Sequence, residues 1–330
     1  MASLTLINLS SRPRIAIASA LVAAALGVAA LYAFSPTAPA AQPRVAVLPD
    51  PDRDTLIGGA PAVASAPAPI PAVVPTESLA LARRFDAQGY DWDAILDGES
   101  DVPLVAVKAF PKDLVHLQDV DLKKSLFFRT LLPMALQVNA EIDAERRRLI
   151  AIKAEVDAGK APSRADSLWL KALAAKYGTA ADDFAALLLR VDGVPPSLML
   201  AQAAEESGWG TSRFAREGNA VFGQWTWSDD HDGIVPAARG AGENHKIRAF
   251  PSVKSAISAY VRNLNTHPAY ERFRLQRALG ATGYELTATL DRYSERREKY
   301  VDTLRTIMNA NRLAALDGAK LSDEIQLVSR

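Results

Sequence analysis

Pro195-Pro196-Ser197-Leu198-Met199-Leu200-Ala201-Gln202-Ala203-Ala204-Glu205-Glu206-Ser207-Gly208-Trp209-Gly210 decides the reading of this chain. Two prolines break what precedes, and a helix starts near Ser197 and runs to about Glu206. It is apolar through most of its length and ends in two acids, followed by small residues and a tryptophan. Small residues let the helix end be approached closely by another backbone or a ligand. A carboxyl there, beside an aromatic ring, is partly desolvated, which raises its pKa. Such a group holds a proton near neutral pH and can deliver it to a leaving oxygen, as breaking a glycosidic bond requires. Neighbours on a helix point about 100° apart, so only one of Glu205 and Glu206 fills the role. Spacing alone does not choose between them.

Downstream, residues 207–250 are rich in glycine, with aromatic and polar residues interspersed, and predict turns and a short hairpin. Trp209, Trp225 and Trp227 place three of the five tryptophans within 19 residues. Aromatic faces suit the apolar faces of sugar rings, and Phe222 and Tyr260 extend the group. Asn219 and Gln224 supply hydrogen-bonding side chains for hydroxyl or acetamido groups.

Helical patterns surround this lobe. Leu122 to about Glu155 carries apolar residues at helical spacing, with Pro133 kinking or dividing it. Its charged Glu141–Arg148 portion predicts a solvated face. A second helix starts at Ser163 and stops at Gly178, and Thr179 with Asp182 opens a third. After Pro251, Ser252 is a plausible N-cap for a helix burying Val253, Ala256, Ile257, Tyr260, Val261 and Leu264. Further helices are expected over Ala269–Leu279, Tyr284–Tyr293 and Arg296–Asn311, with a loosely held tail beyond Asp317. Residues 76–120 show no clear periodicity. The class read from these patterns is mainly α with one glycine-rich interruption.

At the other end, Arg12 and Arg14 precede an uncharged apolar run, residues 15–34. About 20 such residues span the hydrocarbon core of a bilayer, and the flanking arginines place the N-terminus in the cytoplasm. A cleaved signal peptide is the alternative, with Ala38-Pro39-Ala40 as a loose small-x-small site. Either way the rest of the chain is exported. Ten of the 20 prolines fall between Pro36 and Pro75, which reads as an extended spacer.

Composition removes several function classes. Lys+Arg and Asp+Glu both number 38, so no basic face argues for nucleic acid. Without cysteine there are no disulfides, thiol nucleophiles or Cys-based zinc sites. The four histidines lack metal-ligand spacing. No cofactor is implied.

The run from Pro195 to Gly210 resembles the signature of family 73 glycoside hydrolases, the peptidoglycan-cleaving N-acetylglucosaminidases of flagellar and autolysin type. Its continuation, Ser212-Arg213-Phe214-Ala215-Arg216-Glu217-Gly218-Asn219-Ala220-Val221-Phe222-Gly223-Gln224-Trp225, is closer to the Bax-type bacterial glucosaminidases. So are Asn263-Leu264-Asn265-Thr266-His267-Pro268-Ala269-Tyr270 and the helical lead-in from Phe127 to Arg148. The resemblance covers residues 122–311. It implies a lysozyme-like domain of α+β class, mainly α, with a small glycine-rich hairpin or loop lobe. It also implies cleavage of the GlcNAc-β-1,4-MurNAc bond of peptidoglycan.

The catalytic glutamate of that family precedes Ser-Gly-Trp-Gly, which selects Glu206. Its C-terminal tyrosine motif is matched most nearly by Tyr293-Ser294-Glu295-Arg296-Arg297-Glu298-Lys299-Tyr300. Tyr293 is then the first choice for the functional tyrosine and Tyr300 the second, here assigned to substrate binding with Trp209, Asn219, Phe222, Gln224 and Trp225. The second acid falls in the lobe after Phe222-Gly223. Asp229, Asp230, Asp232 and Glu243 lie there, and Glu243 is the choice.

The resulting organisation is a cytoplasmic N-terminus (1–14), a transmembrane anchor (15–34), a linker (35–77), a helical lead-in (78–160), a glucosaminidase domain (161–316) and a tail (317–330). The chain is expected in the inner membrane, single-pass, with its catalytic domain in the periplasm. Its partners would be glycan strands and the membrane. A lytic transglycosylase or muramidase, and a non-catalytic peptidoglycan-binding scaffold, are the alternatives.

Overall fold

The computed structural model describes residues 76–322 apart from Ala106, Asp229, residues 238–241 and Glu243. The expected cytoplasmic segment and membrane anchor, nearly all of the linker and the last eight residues lie outside them. Among the described residues no helix is long and apolar enough to cross a membrane.

In chain order the helices are α1 (Thr76–Ala87), α2 (Trp92–Leu96), α3 (Val120–Asp157), α4 (Arg164–Tyr177), α5 (Phe184–Arg190), α6 (Pro196–Ser207) and α7 (Arg213–Gly218). Three short strands come next: β1 (Trp225–Thr226), β2 (Gly233–Ile234) and β3 (Lys246–Arg248). Then come α8 (Val253–Thr266), α9 (Glu271–Ala278), α10 (Gly283–Leu286) and α11 (Glu298–Ala310). The strands form an antiparallel sheet in the order β1-β3-β2, with Trp225 opposite Ile247 and Gly233 opposite Arg248. The fold is therefore α+β and mainly α, with the sheet lying in the glycine-rich lobe. Gly233 is required there, because a Cβ would lie 2.6 Å from that of Lys246.

Helix α6 is the centre of the molecule. Every residue from Pro196 to Ala204 is buried, as expected of a helix apolar all round. It is packed by α3, α10, α11 and the 3-10 segment Leu313–Gly318. Its first turn lacks a side-chain cap of its own. Asp317 supplies one across 120 positions, accepting from the Ser197 amide at 2.9 Å, where a carboxylate also complements the helix dipole. The turn before it is clamped from α3, since Asn139 donates to the Val194 carbonyl (2.7 Å) and accepts from its amide (3.1 Å).

Several expectations hold and others need correction. Ser163 and Ser252 cap α4 and α8 through the Asp166 and Ser255 amides. Gly178 closes α4 in the left-handed conformation. Pro133 neither ends nor divides α3, which continues for 38 residues. The third helix is capped by Asp183 rather than opened by Thr179 and Asp182. The helix expected over Tyr284–Tyr293 is only α10 and a 3-10 turn, Thr287–Thr289.

The charged 141–148 stretch is not simply a solvated face. Arg146 donates to the Leu188 and Val191 carbonyls at 2.6 and 2.7 Å, and Glu145 accepts from Tyr177 and Lys176. Beyond Asp317, residues 318–322 are not loose, because the Val102 amide donates to the Lys320 carbonyl and Leu321 packs on the core. Residues 76–120 join the same core, and the expectation of no periodicity there is corrected at α1, which buries Ser78, Leu81, Ala82 and Phe85 at helical spacing. Contacts distant in sequence add to it. The Glu77 and Ser78 amides, for example, donate to the Asp113 carboxylate at 2.7 and 3.0 Å.

Candidate active site

The carboxyl of Glu206 stands at the last turn of α6, half-buried. Immediately after it the chain turns away sharply. Gly208, Trp209 and Gly210 all have positive φ (55°, 60° and 76°), a conformation that glycine enters without steric cost and tryptophan does not. The Ser207 hydroxyl, fully buried, fastens this turn by donating to the Ala203 carbonyl (2.6 Å) and accepting from the Gly210 amide (2.8 Å). At Gly210 a Cβ would press on Phe110, Leu114 and Phe127 at 3.3 Å. The small residues of the motif thus serve a tight backbone reversal as well as access to the acid.

Four tyrosines surround Glu206. The Tyr300 hydroxyl donates to its Oε1 at 2.7 Å. The Gln202 amide nitrogen, one helical turn before Glu206, donates to that same hydroxyl oxygen at 2.9 Å. The Tyr260 hydroxyl in turn donates to Gln202 Oε1. Tyr293 stacks on Tyr300, with centroids 5.6 Å apart and planes at 6°, and Tyr270 lies beyond it at 6.1 Å. Burial and the neighbouring carboxylate push the Tyr260, Tyr293 and Tyr300 hydroxyls above their ordinary range, so they act as neutral donors.

Burial is also the main influence on the acid. It pushes the Glu206 carboxyl up to about 7, against the Tyr300 hydrogen bond, which favours the ionised form. Glu205 adds to the rise and Arg296 opposes it. Glu205 itself is held away by Arg296, at 2.5 Å. The two acids that spacing could not separate are thus distinguished by their partners: a neutral tyrosine for Glu206 and a guanidinium for Glu205. A carboxyl poised near 7 is suited to proton donation at neutral pH.

Next to the tyrosine cluster lies a cleft of about 560 Å³, floored by one face of α8 and walled by the sheet lobe, with Glu206 itself not among its lining residues. Phe222 and Tyr293 border both the cleft and the tyrosine cluster. Phe222 stacks on Tyr260 at 3.9 Å. Trp225 lies half-buried on the wall, stacked on His245, with Trp227 5.9 Å from it and 52% exposed. Gln224 also borders the cleft, and its amide oxygen is buried without a donor among the described residues.

Two residues expected in the binding face stand elsewhere. The Trp209 ring packs edge-on against Phe127 and Phe128, at 5.7 and 5.3 Å, because the turn at positive φ swings it into the core. Asn219 caps α7 in the left-handed conformation, and its amide donates to the Phe250 carbonyl at 3.0 Å. It anchors the lobe instead of facing the cleft. Tyr300 rather than Tyr293 contacts the acid directly. Glu243 and Asp229 lie outside the described residues. Asp230 accepts from the Ser228 hydroxyl at 3.2 Å.

Gln202, Arg248, Arg262 and Arg296 were not singled out from the sequence. For Gln202 the signal was present, since i and i+4 share a helix face. Among the described residues no group of three or more His, Asp or Glu could hold a metal.

The family described as Glucosaminidase, mannosyl-glycoprotein endo-beta-N-acetylglucosaminidase, matches residues 182–313. The chain is similar to Protein bax of Escherichia coli (strain K12), 36% identical over 201 residues, which cover 57% of this chain and 70% of that protein. No solved structure matches.

Proposed function

The chain belongs to the glucosaminidase family of glycoside hydrolases, and on that premise we propose that it is an endo-β-N-acetylglucosaminidase of peptidoglycan with Glu206 as its acid. The observation that carries the proposal is the protonatable carboxyl of Glu206, held by Tyr300 in a tyrosine cluster that borders an aromatic cleft through Phe222 and Tyr293. Tyr300 occupies Oε1. The other oxygen, Oε2, is directed toward Gly223, where even an added Cβ would stand 4.0 Å off. In this reading Oε2 is the atom that meets the glycosidic oxygen of a GlcNAc-β-1,4-MurNAc bond. Protonation of that oxygen lets the bond break, and water completes hydrolysis.

A single-acid variant of this scheme is the second reading. Among the described residues the carboxylate beside Glu206 is Glu205, and Arg296 engages it. The substrate's own N-acetyl group would then serve as nucleophile, a known exception to the two-carboxylate arrangement. Glu243 remains the candidate for a second acid. We place the domain outside the inner membrane, tethered by residues 15–34, because Arg12 and Arg14 flank that apolar run on its N-terminal side.

The test is digestion of purified peptidoglycan sacculi by the full-length chain, wild type and Glu206→Gln, with products read by mass spectrometry. New reducing GlcNAc ends from the wild type alone are expected. Formation of 1,6-anhydro-MurNAc ends would assign a lytic transglycosylase instead. Binding without release by the wild type would assign a scaffold.

A further inference from the structure

The cleft next to the tyrosine cluster carries charge of one sign. Arg262, exposed on α8, and Arg248, half-buried on β3, both line it. No carboxylate among the described residues lines the cleft with them. None of the described ion pairs includes either guanidinium. Arg248 instead lies over the Phe250 ring at 4.9 Å. Burial and the neighbouring Arg262 both hold its pKa below the ordinary value, so the two cations disfavour each other. Several arginines elsewhere pair with carboxylates, Arg146 and Arg277 with Asp192, Arg129 with Asp86 and Arg296 with Glu205, while Arg190 and Arg274 are bonded to backbone carbonyls. Two cations without a carboxylate partner among the described residues line one cleft, and an anion joining them would offset their repulsion.

Position narrows the chemistry. Arg262 lies on the face of α8 that also presents Ser255, Ser258 and Ala259 to the cleft, which Trp225 and Trp227 line as well. A sugar ring laid on the tryptophans would share the cleft with both arginines.

We propose that Arg248 and Arg262 form a subsite for a carboxylate carried by the glycan substrate, so that the enzyme prefers acid-bearing strands to neutral ones. The inference rests on the glycosidase reading and adds a specificity to it. Two carboxylates in peptidoglycan share this chemistry: the lactyl group of peptide-free muramic acid, and the acids of a stem peptide. In a peptide-bearing residue the lactyl group is an amide, so the two sources can be separated.

The experiment measures binding by the full-length chain in a Glu206→Gln background, which keeps ligands intact. Three glycans of equal length are compared: a neutral β-1,4-GlcNAc oligomer, a peptide-free GlcNAc-MurNAc strand, and the same strand bearing stem peptides. At least one acid-bearing strand should bind about tenfold more tightly than the neutral oligomer, and added salt should erode that advantage. Whichever strand holds the advantage identifies the carboxylate. Replacing both arginines (Arg248→Gln with Arg262→Gln) should bring the ratio to about one, whereas the paired lysine substitutions should retain part of it. Equal binding of the three glycans, no binding of any, or an advantage that survives the glutamine pair overturns the subsite. Release of reducing ends from sacculi by the wild type judges the glycosidase reading separately.

Discussion

The Tyr300 hydroxyl sits 2.7 Å from Glu206 Oε1, across 94 positions of sequence, and it opposes the burial that raises the acid's pKa. Burial prevails, leaving the carboxyl at about 7. The balance between these two effects sets the pH at which the acid carries its proton, and substitutions around the carboxyl should shift it in opposite directions.

The basic limb of the kcat/KM profile should fall as pH rises through about 7, where Glu206 loses its proton. Tyr300→Phe removes a hydrogen bond that favours the carboxylate, so the limb should move to higher pH. Glu205→Gln removes a neighbouring negative charge and releases Arg296, so the limb should move lower. Profiles on a soluble glycan measure both shifts, and a common direction for the two variants would contradict this assignment.

Glu206→Gln should gain stability relative to the wild type at alkaline pH and not at acid pH. Below about pH 4, folded and unfolded states both hold the proton. As pH rises past the unfolded pKa the unfolded chain releases it first, so the wild type loses stability until the folded pKa, about 7. The full effect is on the order of 3 kcal/mol. Urea midpoints at pH 4.5 and pH 8 test it.

Gln202 is a positioning residue, fixing the Tyr300 hydroxyl at 2.9 Å and accepting from Tyr260. Gln202→Leu should lower kcat more than it raises KM and should displace the basic limb. It leaves the buried Tyr260 hydroxyl without its acceptor, at about 1–3 kcal/mol, while Tyr300 keeps its bond to Glu206. A stability loss with unchanged kcat and pH profile would make Gln202 merely structural.

The two tryptophans should separate cleanly. Trp209→Ala opens a cavity against Phe127 and Phe128 and should cost about 2–4 kcal/mol of stability. Trp225→Ala, on the cleft wall, should raise KM for glycans about three- to tenfold, equivalent to about 1 kcal/mol. Chemical denaturation and steady-state kinetics of both variants read the contrast.

Much of this was legible in the residue order. The proline break and the apolar run to Ala204 announced α6, Ser163 and Ser252 announced the helices they cap, and the glycine-rich stretch announced the sheet lobe. These signals are local, since capping, periodicity and turn preference act within a few residues. The acidic pair at the end of α6 was equally visible, and the Ser-Gly-Trp-Gly motif after it selected Glu206.

Tertiary structure decided the rest, because the deciding interactions span long stretches of chain. Arg296 reaches Glu205 across 91 positions and Tyr300 reaches Glu206 across 94, so only the fold gives the adjacent acids different environments. Three residues at positive φ turned Trp209 inward, which side-chain type alone did not reveal. The chain order, acting locally, determined the helices and the placing of an acid at the end of one. The proton on that acid depends on desolvation and on partners from α11, which exist once distant segments have packed around α6.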